Sequence, residues 1–542
     1  MDGTMMNFPL TLTHILERCG KLHGKTEIVS RRPDGSIHRY TYADFYHRTH
    51  AFAAALQRAG LKRGDRVGTF MWNHYVHLES YFAIPVAGGV IHTLNLRLHP
   101  DDIAFIINHA ADRWLVVDDV LLPLFDQFKD KVNLERVIVV PFGGSRAAAP
   151  YVDYEQFISQ AGGDVTLPQL NEHEAAAMCY TSGTTGKPKG VAYSHRALVL
   201  HAFALTMADT FAFSQRDVIL PVVPMFHANA GGFAHAAAMV GAKQVFPGRQ
   251  LDAASILALF EREQVTLSAG VPTVLWSILE ALERDPTWAQ RIPEIRLGCS
   301  GAAPPEALIR KLDKFGLHVI HAWGMTETGP VATVNFIKRE LDGSDENRVY
   351  ALRAMQGVPV PFVDIRVRAK DGLAPWDGTT MGELEVRGPW VTACYFNNPD
   401  ITDRWTNDGW LRTGDVATIN EDGYLRLTDR IKDLIRSGGE WISSVDLESA
   451  LMSHPAVGEA AVIAVAHPKW GERPLAVIVL KEHATATGDE LRAHLADKVV
   501  RWWLPDAYVF VDSIPRTSVG KMLKSELRER YKDWSWSAES QG

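Results

Sequence analysis

Short apolar runs alternate along most of the chain with segments whose apolar residues recur at helical spacing. Leu12, Ile15, Leu16 and Cys19 predict a helix over 11–24. Ile28-Val29 and the stretch 38–42 predict two strands joined by the turn Pro33-Asp34-Gly35. Thr41 stands where a cap would open a helix over 43–60 that carries Phe45, Phe52 and Leu56. A strand over 66–70, an apolar helix over 74–88, and the segments 103–109 and 114–117 repeat the alternation. The pattern predicts an α/β fold with largely parallel sheets. A smaller alternation follows Val445: helix 447–452, strands 460–465 and 476–480, helix 488–499, strand 509–511. The glycine-rich segment 143–150 and the charged segment 338–356 read as surface excursions.

At 542 residues the chain is too long for one core, so at least two domains are expected. Its 46% hydrophobic and 22% charged content is ordinary for a soluble protein. A net charge of −8 without a basic block excludes a nucleic-acid partner. The four cysteines are widely spaced and show neither zinc nor disulfide patterning, and 1–10 lacks a basic leader. A cytoplasmic location is expected. The uncharged segment 218–242 is long enough to span a bilayer, but it contains Pro221, Pro224, His227, Asn229 and His235. It reads instead as a buried strand, a loop and a pocket-lining helix. No transmembrane segment is expected, and peripheral membrane contact stays open.

The densest chemistry is Tyr180-Thr181-Ser182-Gly183-Thr184-Thr185-Gly186-Lys187-Pro188-Lys189-Gly190. Glycines let backbone N–H groups converge, and hydroxyls and lysines add donors and positive charge, so the ligand it suits is a polyphosphate. The spacing is not that of a Walker loop. Alone, the stretch also reads as a flexible turn. His321-Ala322-Trp323-Gly324-Met325-Thr326-Glu327 offers an aromatic for a base, a hydroxyl for phosphate and a carboxylate for Mg²⁺, or merely a helix start. Trp410 to Asp415 offers a carboxylate at a turn after a strand, suited to ribose hydroxyls; turn aspartates are also common without function.

These stretches, with Ser300-Gly301-Ala302, the segment 429–441 and the segment 514–524, stand in the order seen in the adenylate-forming superfamily. That superfamily comprises acyl-CoA synthetases, peptide-synthetase adenylation domains and luciferases. The wording is most similar to bacterial long- and medium-chain fatty acyl-CoA synthetases. The resemblance implies a large N-terminal domain of layered sheets and helices over 1–428, and a small mobile C-terminal α/β domain over 429–542. It implies that Thr181, Ser182, Gly183, Thr184, Thr185, Gly186 and Lys187 hold the ATP phosphates, with Thr181 and Glu327 on Mg²⁺. Ser300, Gly301 and Ala302 would wall the nucleotide together with His321, Ala322 and Trp323, and Thr326 would reach phosphate. Asp415 would take the ribose, and Arg430 ribose or phosphate, with Lys432 and Arg436 also among the cofactor-binding residues. Asp429 would be the pivot, Gly439 would let the pantetheine arm of coenzyme A pass, and Trp441 would gate an acyl tunnel. His227 would lie beside the acyl carboxylate, and Lys521 would be the catalytic lysine of adenylation.

The expected activity is therefore ATP-dependent ligation of a carboxylic acid to coenzyme A through acyl-AMP, in a homodimer like those of the resembled enzymes. Gly231 stands where the fatty-acid relatives carry a tryptophan, which leaves aryl, branched or sulfur-containing acids such as methylthiopropanoate open. A separate carrier protein as acyl acceptor is the other alternative. Neither a Gly-x-Ser-x-Gly elbow nor a Gly-x-Gly-x-x-Gly fingerprint occurs, against hydrolase and dinucleotide-oxidoreductase readings.

Overall fold

The computed structural model describes residues 1, 3–160, 166–181, 187–438, 440–516 and 522–536, without the side chains of Ala228, Asn229 and Glu440. The described residues of Met1–Gly183, Lys187–Asp364 and Arg387–Trp405 form one compact unit, and those of Ile365–Val386 and Thr406–Gly542 a second.

The larger unit is built on two sheets. In the nine-stranded sheet, Glu27–Arg31, Lys243–Phe246, Val218–Pro221, Leu267–Gly270, Ile295–Cys299 and Leu317–Gly324 lie side by side and parallel. Antiparallel strands close both edges. In the seven-stranded sheet, Val152–Asp153, Arg136–Val140, Asp112–Asp118, Arg66–Phe70, Val90–Thr93 and Ala175–Tyr180 are parallel in that order. Gly190–Ser194 then turns back antiparallel on Ala175–Tyr180. Parallel strands need crossovers, and helices supply them, so both faces are covered and the strands are nearly all buried. Helix Tyr75–Val86 is buried at every position, which explains its lack of a polar stripe.

Local chemistry sets several boundaries. Helix Tyr42–Arg58 starts on a capping box: the Asp44 N–H donates to the Thr41 hydroxyl, while the Thr41 N–H donates back to the Asp44 carboxylate. Segment 218–242 resolves into strand Val218–Pro221, a 3₁₀ turn Ala228–Gly232 and helix Phe233–Val240, as its polarity predicts. No helix among the described residues is long and apolar enough to cross a membrane. Gly232 caps that helix at φ +80°, and a Cβ there would collide with the His201 ring. The charged excursion 338–356 contains a helix, Glu346–Ala354, that apolar spacing does not reveal because only Leu352 is buried. Asp345 caps it, and Asp313 holds it by accepting from the Tyr350 hydroxyl at 2.8 Å and from Arg353 Nη2 at 3.0 Å.

The smaller unit holds a five-stranded sheet ordered Gly372–Leu373, Asp364–Ala369, Gly382–Arg387, Leu411–Ile419, Leu425–Arg430. Its second sheet pairs the long strands Val457–His467 and Gly471–Leu480, adds Ala507–Phe510 in parallel, and ends in the hairpin Ile435–Ser437 and Glu440–Ile442. Helices Ser444–Met452 and Gly488–Ala496 supply Leu447, Leu451, Leu491 and Leu495 to one apolar cluster. Leu527 of helix Lys524–Arg530 and Trp536 join a second.

Candidate active site

In an open parallel sheet, ligands are received beyond the carboxyl ends of the strands. Strands Val90–Thr93 and Ala175–Tyr180 are parallel neighbours, and their carboxyl ends open into a narrow cleft. Thr93, Leu94, Asn95, Leu98, Ile106, Tyr180, Thr181, Phe226 and His227 line it. Thr181 and His227, expected at the phosphates and at the acyl carboxylate, therefore share one cleft. Asn95 and Thr93 were not singled out in the sequence. Their signal is positional, since both follow or end a parallel strand.

The mouth of the glycine-rich loop is fixed by two backbone donors. The Thr181 N–H donates to the Lys189 carbonyl at 2.9 Å, and the Lys189 N–H donates to the Thr181 hydroxyl at 3.1 Å. Lys187 lies with its ammonium 5.1 Å from the Phe105 ring centre, and Lys189 lies 5.2 Å from that of Tyr395. Ser182, Gly183, Thr184, Thr185 and Gly186 lie outside the described residues.

From strand Gly190–Ser194, the Tyr193 hydroxyl donates to the Thr326 carbonyl at 2.6 Å, joining the phosphate hairpin to the Thr326–Thr328 turn. Glu327 in that turn is 4% exposed. The Tyr395 hydroxyl donates to its Oε1 at 2.6 Å, and the Thr392 N–H donates to its carbonyl at 2.8 Å. No Lys or Arg among the described residues forms an ion pair with Glu327. A buried carboxylate without a cationic partner is costly unless a metal neutralises it, and a hard oxygen donor suits Mg²⁺. Glu327, with the Thr181 hydroxyl, thus fits that ion. Burial and the adjacent Glu327 push the Tyr395 phenol well above its ordinary pKa, so it stays a donor.

The two stretches expected to wall the nucleotide are neighbours: Cys299 pairs with His321 across adjacent parallel strands. Ser300 is half-buried there, and Gly301 and Ala302 are exposed. Ala322, Trp323 and Thr326 are buried. His321 is turned inward. Its Nδ1 lies 3.0 Å from the Ala354 carbonyl, and burial lowers its pKa to about 4, so the ring is neutral. Gly324, expected to admit a ligand closely, instead admits the Pro330 carbonyl, with which a Cβ would collide.

In the smaller unit, Asp415 stands within strand Leu411–Ile419, not at a turn after a strand. Gly414, at φ +74°, and a register shift beside Val416 let the strand bulge at this point. Asp415 is 3% exposed and pairs in register with Arg430, whose Nε lies 3.1 Å from Oδ1. The two residues expected at the ribose are thereby brought together. Asp429, next in the chain, is buried, and burial raises its pKa. Lys432 and Arg436 are exposed, and the Arg436 N–H donates to Glu472 at 2.7 Å. Trp441 is 39% exposed on the terminal hairpin. Gly439 and Lys521 lie outside the described residues.

Comparison with known proteins identifies the family. The family model for AMP-binding enzymes matches residues 16–396, and that for the AMP-binding enzyme C-terminal domain matches 446–521. The chain is 47% identical over 536 residues to the long-chain-fatty-acid–CoA ligase of Thermus thermophilus, covering 98% of this chain and 97% of the relative. It is 42% identical over 541 residues to the medium-chain-fatty-acid–CoA ligase of Ectopseudomonas oleovorans, covering 98% of each. Among solved structures, the anthranilate CoA ligase AuaEII in complex with anthranoyl-AMP superposes with a TM-score of 0.85 at 25% identity, covering 97% of this chain and 98% of that one. The chain belongs to the AMP-binding, adenylate-forming enzyme family and groups there with the acid–CoA ligases.

Proposed function

We propose that this protein joins a fatty or related carboxylic acid to coenzyme A at the expense of ATP, through an acyl-adenylate. The observation that carries the reading is the shared cleft of Thr181 and His227, with Glu327 tied to the same hairpin through Tyr193. In the first step the acid's carboxylate attacks the α-phosphorus, the bond to the β-phosphate breaks, and pyrophosphate leaves. In the second, the coenzyme A thiol attacks the acyl carbonyl and AMP leaves with the bonding pair. Bound Mg²⁺ supplies charge neutralisation on the phosphates. Thr181 and Glu327 would hold it, and Tyr395 keeps the Glu327 carboxylate oriented. The loop 182–187 would hold the phosphates by backbone donors, Asp415 and Arg430 the ribose, and His227 the acyl oxygen. Lys521 would bring its charge to the α-phosphate, which is electrostatic help of the kind that needs placement more than covalent chemistry.

The domain division at 428/429, the pivot at Asp429, the passage beside Gly439 and the gate at Trp441 belong to the same proposal. Rotation of the C-terminal module would let one chain run both steps. Homodimer assembly rests on the family resemblance, a cytoplasmic location on the cysteine pattern, and peripheral membrane contact on the apolar segment 218–242. Light scattering, vesicle flotation and fractionation test them.

A second reading concerns the acid. Among the described residues a Cβ on Gly231 would meet the Phe233 ring, at 3.5 Å, an ordinary contact that leaves room. Aryl or sulfur-containing acids are thus candidates beside straight chains. AMP release with coenzyme A present, measured across a panel of acids, tests the function. No release with any acid of the panel contradicts it, and a preference for aryl over C8–C16 acids selects the second reading.

A further inference from the structure

Helix Lys524–Arg530 carries two cations one turn apart, of which Lys524 pairs with Glu448 and Arg528 with Asp433. Lys524 is buried. Its ammonium lies 2.6 Å from Glu448 Oε1 and donates to the Ser444 hydroxyl at 2.6 Å. The Ser444 hydroxyl and N–H both donate to Asp429 Oδ2, at 2.5 and 2.7 Å. Glu448 in turn accepts from the Val462 N–H at 2.7 Å. One turn further along, Arg528 Nη1 donates to Asp433 Oδ1 at 2.6 Å. From Asp429 to Asp433 the chain makes a tight turn in which the Asp433 and Leu434 N–H groups both donate to the Arg430 carbonyl. The network therefore grips both sides of the turn that begins at Arg430.

The same helix follows directly on the loop that contains Lys521. That loop's base is closed by an antiparallel bridge between Arg516 and Met522 and by the Leu523 N–H donating to the Pro515 carbonyl at 2.7 Å. Arg516 Nη2 is anchored on Glu459 at 2.7 Å. Burial works against the Lys524 ammonium, but Glu448 and Asp429 outweigh it and hold its pKa above the ordinary lysine value, so the ammonium is charged at neutral pH, while burial pushes the Glu448 carboxyl up to about 7. A lysine buried only to pack would not hold the Glu448 carboxylate and the Ser444 hydroxyl together. Removing either partner would leave an unpaired buried charge.

We propose that Lys524 and Arg528 are positioning residues that lock the segment Asp429–Asp433 to the base of the Lys521 loop, so that pivot and catalytic lysine move as one body. The proposal rests on the reading of Lys521 as the adenylation lysine. A misplacement of about 1 Å at a reacting group costs about 100-fold in rate. Lys524→Met and Arg528→Gln are therefore expected to slow acid-dependent pyrophosphate exchange by about 100-fold. Thioester formation from supplied acyl-adenylate should stay unchanged, and Lys524→Arg should restore exchange. In a Lys521→Ala background neither substitution should lower exchange further. Equal losses in both half-reactions overturn the clamp, as does an undiminished further loss in the Lys521→Ala background. Exchange left intact by Lys521→Ala alone would instead sink the reading of Lys521. Should Lys524→Met fail to fold, the half-exposed pair removed in Arg528→Gln decides the matter alone.

Discussion

Glu327 is the residue whose surroundings say most about chemistry. It is buried among protein groups, with the Tyr395 hydroxyl on one oxygen, and the proposed function puts Mg²⁺ on its carboxylate. Glu327→Gln should lower adenylation by at least about 100-fold, the scale of losing one preorganised electrostatic group. Tyr395→Phe removes only the orienting hydrogen bond. Expected is a rise of about tenfold in half-saturating Mg²⁺, the equivalent of about 1.4 kcal/mol, with the maximal rate little changed. Mg²⁺ titration of pyrophosphate exchange checks both. Asp415→Asn keeps the shape but makes one acceptor a donor where the proposed function places the ribose. It should raise the KM for ATP while leaving the KM for the acid unchanged.

At the level of elements, the hydrophobic pattern revealed what a local period can encode. The capping box at Thr41 and Asp44, the buried helix Tyr75–Val86 and the strand–loop–helix dissection of 218–242 all follow from neighbours in sequence. The rest was set by distant partners. Helix Glu346–Ala354 has almost no apolar face, because Asp313 holds it by charge. Asp415 reads as a turn residue from its glycine neighbour, yet the β-bulge buries it inside a strand opposite Arg430. Lys524 finds Ser444 across 80 residues and Arg528 finds Asp433 across 95, so no local spacing announces the clamp. The N-terminus of helix Phe233–Val240 offers a direct test. Gly232→Ala places a Cβ against His201 at a left-handed φ, and should cost about 1–3 kcal/mol of stability in chemical denaturation from backbone strain alone.

Across the whole molecule, the α/β layering and the order of the chemical stretches were legible. The joining of Thr181 to His227 in one cleft was not, because it depends on which strands lie side by side. Several imidazoles are buried in neutral form. Burial holds His77 and His201 down to about 3, and His235 and His321 to about 4. Unfolded, they would titrate near 6.5. Between pH 6.5 and 4 the unfolded chain binds more protons than the folded one, so stability falls as pH falls through that window. Thermal melts at pH 7, 6 and 5 should show a progressive drop in Tm beginning below about pH 6.5, and a flat profile would contradict it.

The account turns on a division of labour in which the charge of one lysine serves the first step and not the second. Lys521→Ala, assayed separately for acid-dependent pyrophosphate exchange and for thioester formation from supplied acyl-adenylate, measures that directly. Exchange should fall by a factor of about 100 or more while thioester formation continues near the wild-type rate. Loss of both half-reactions to the same extent, or of neither, would contradict it.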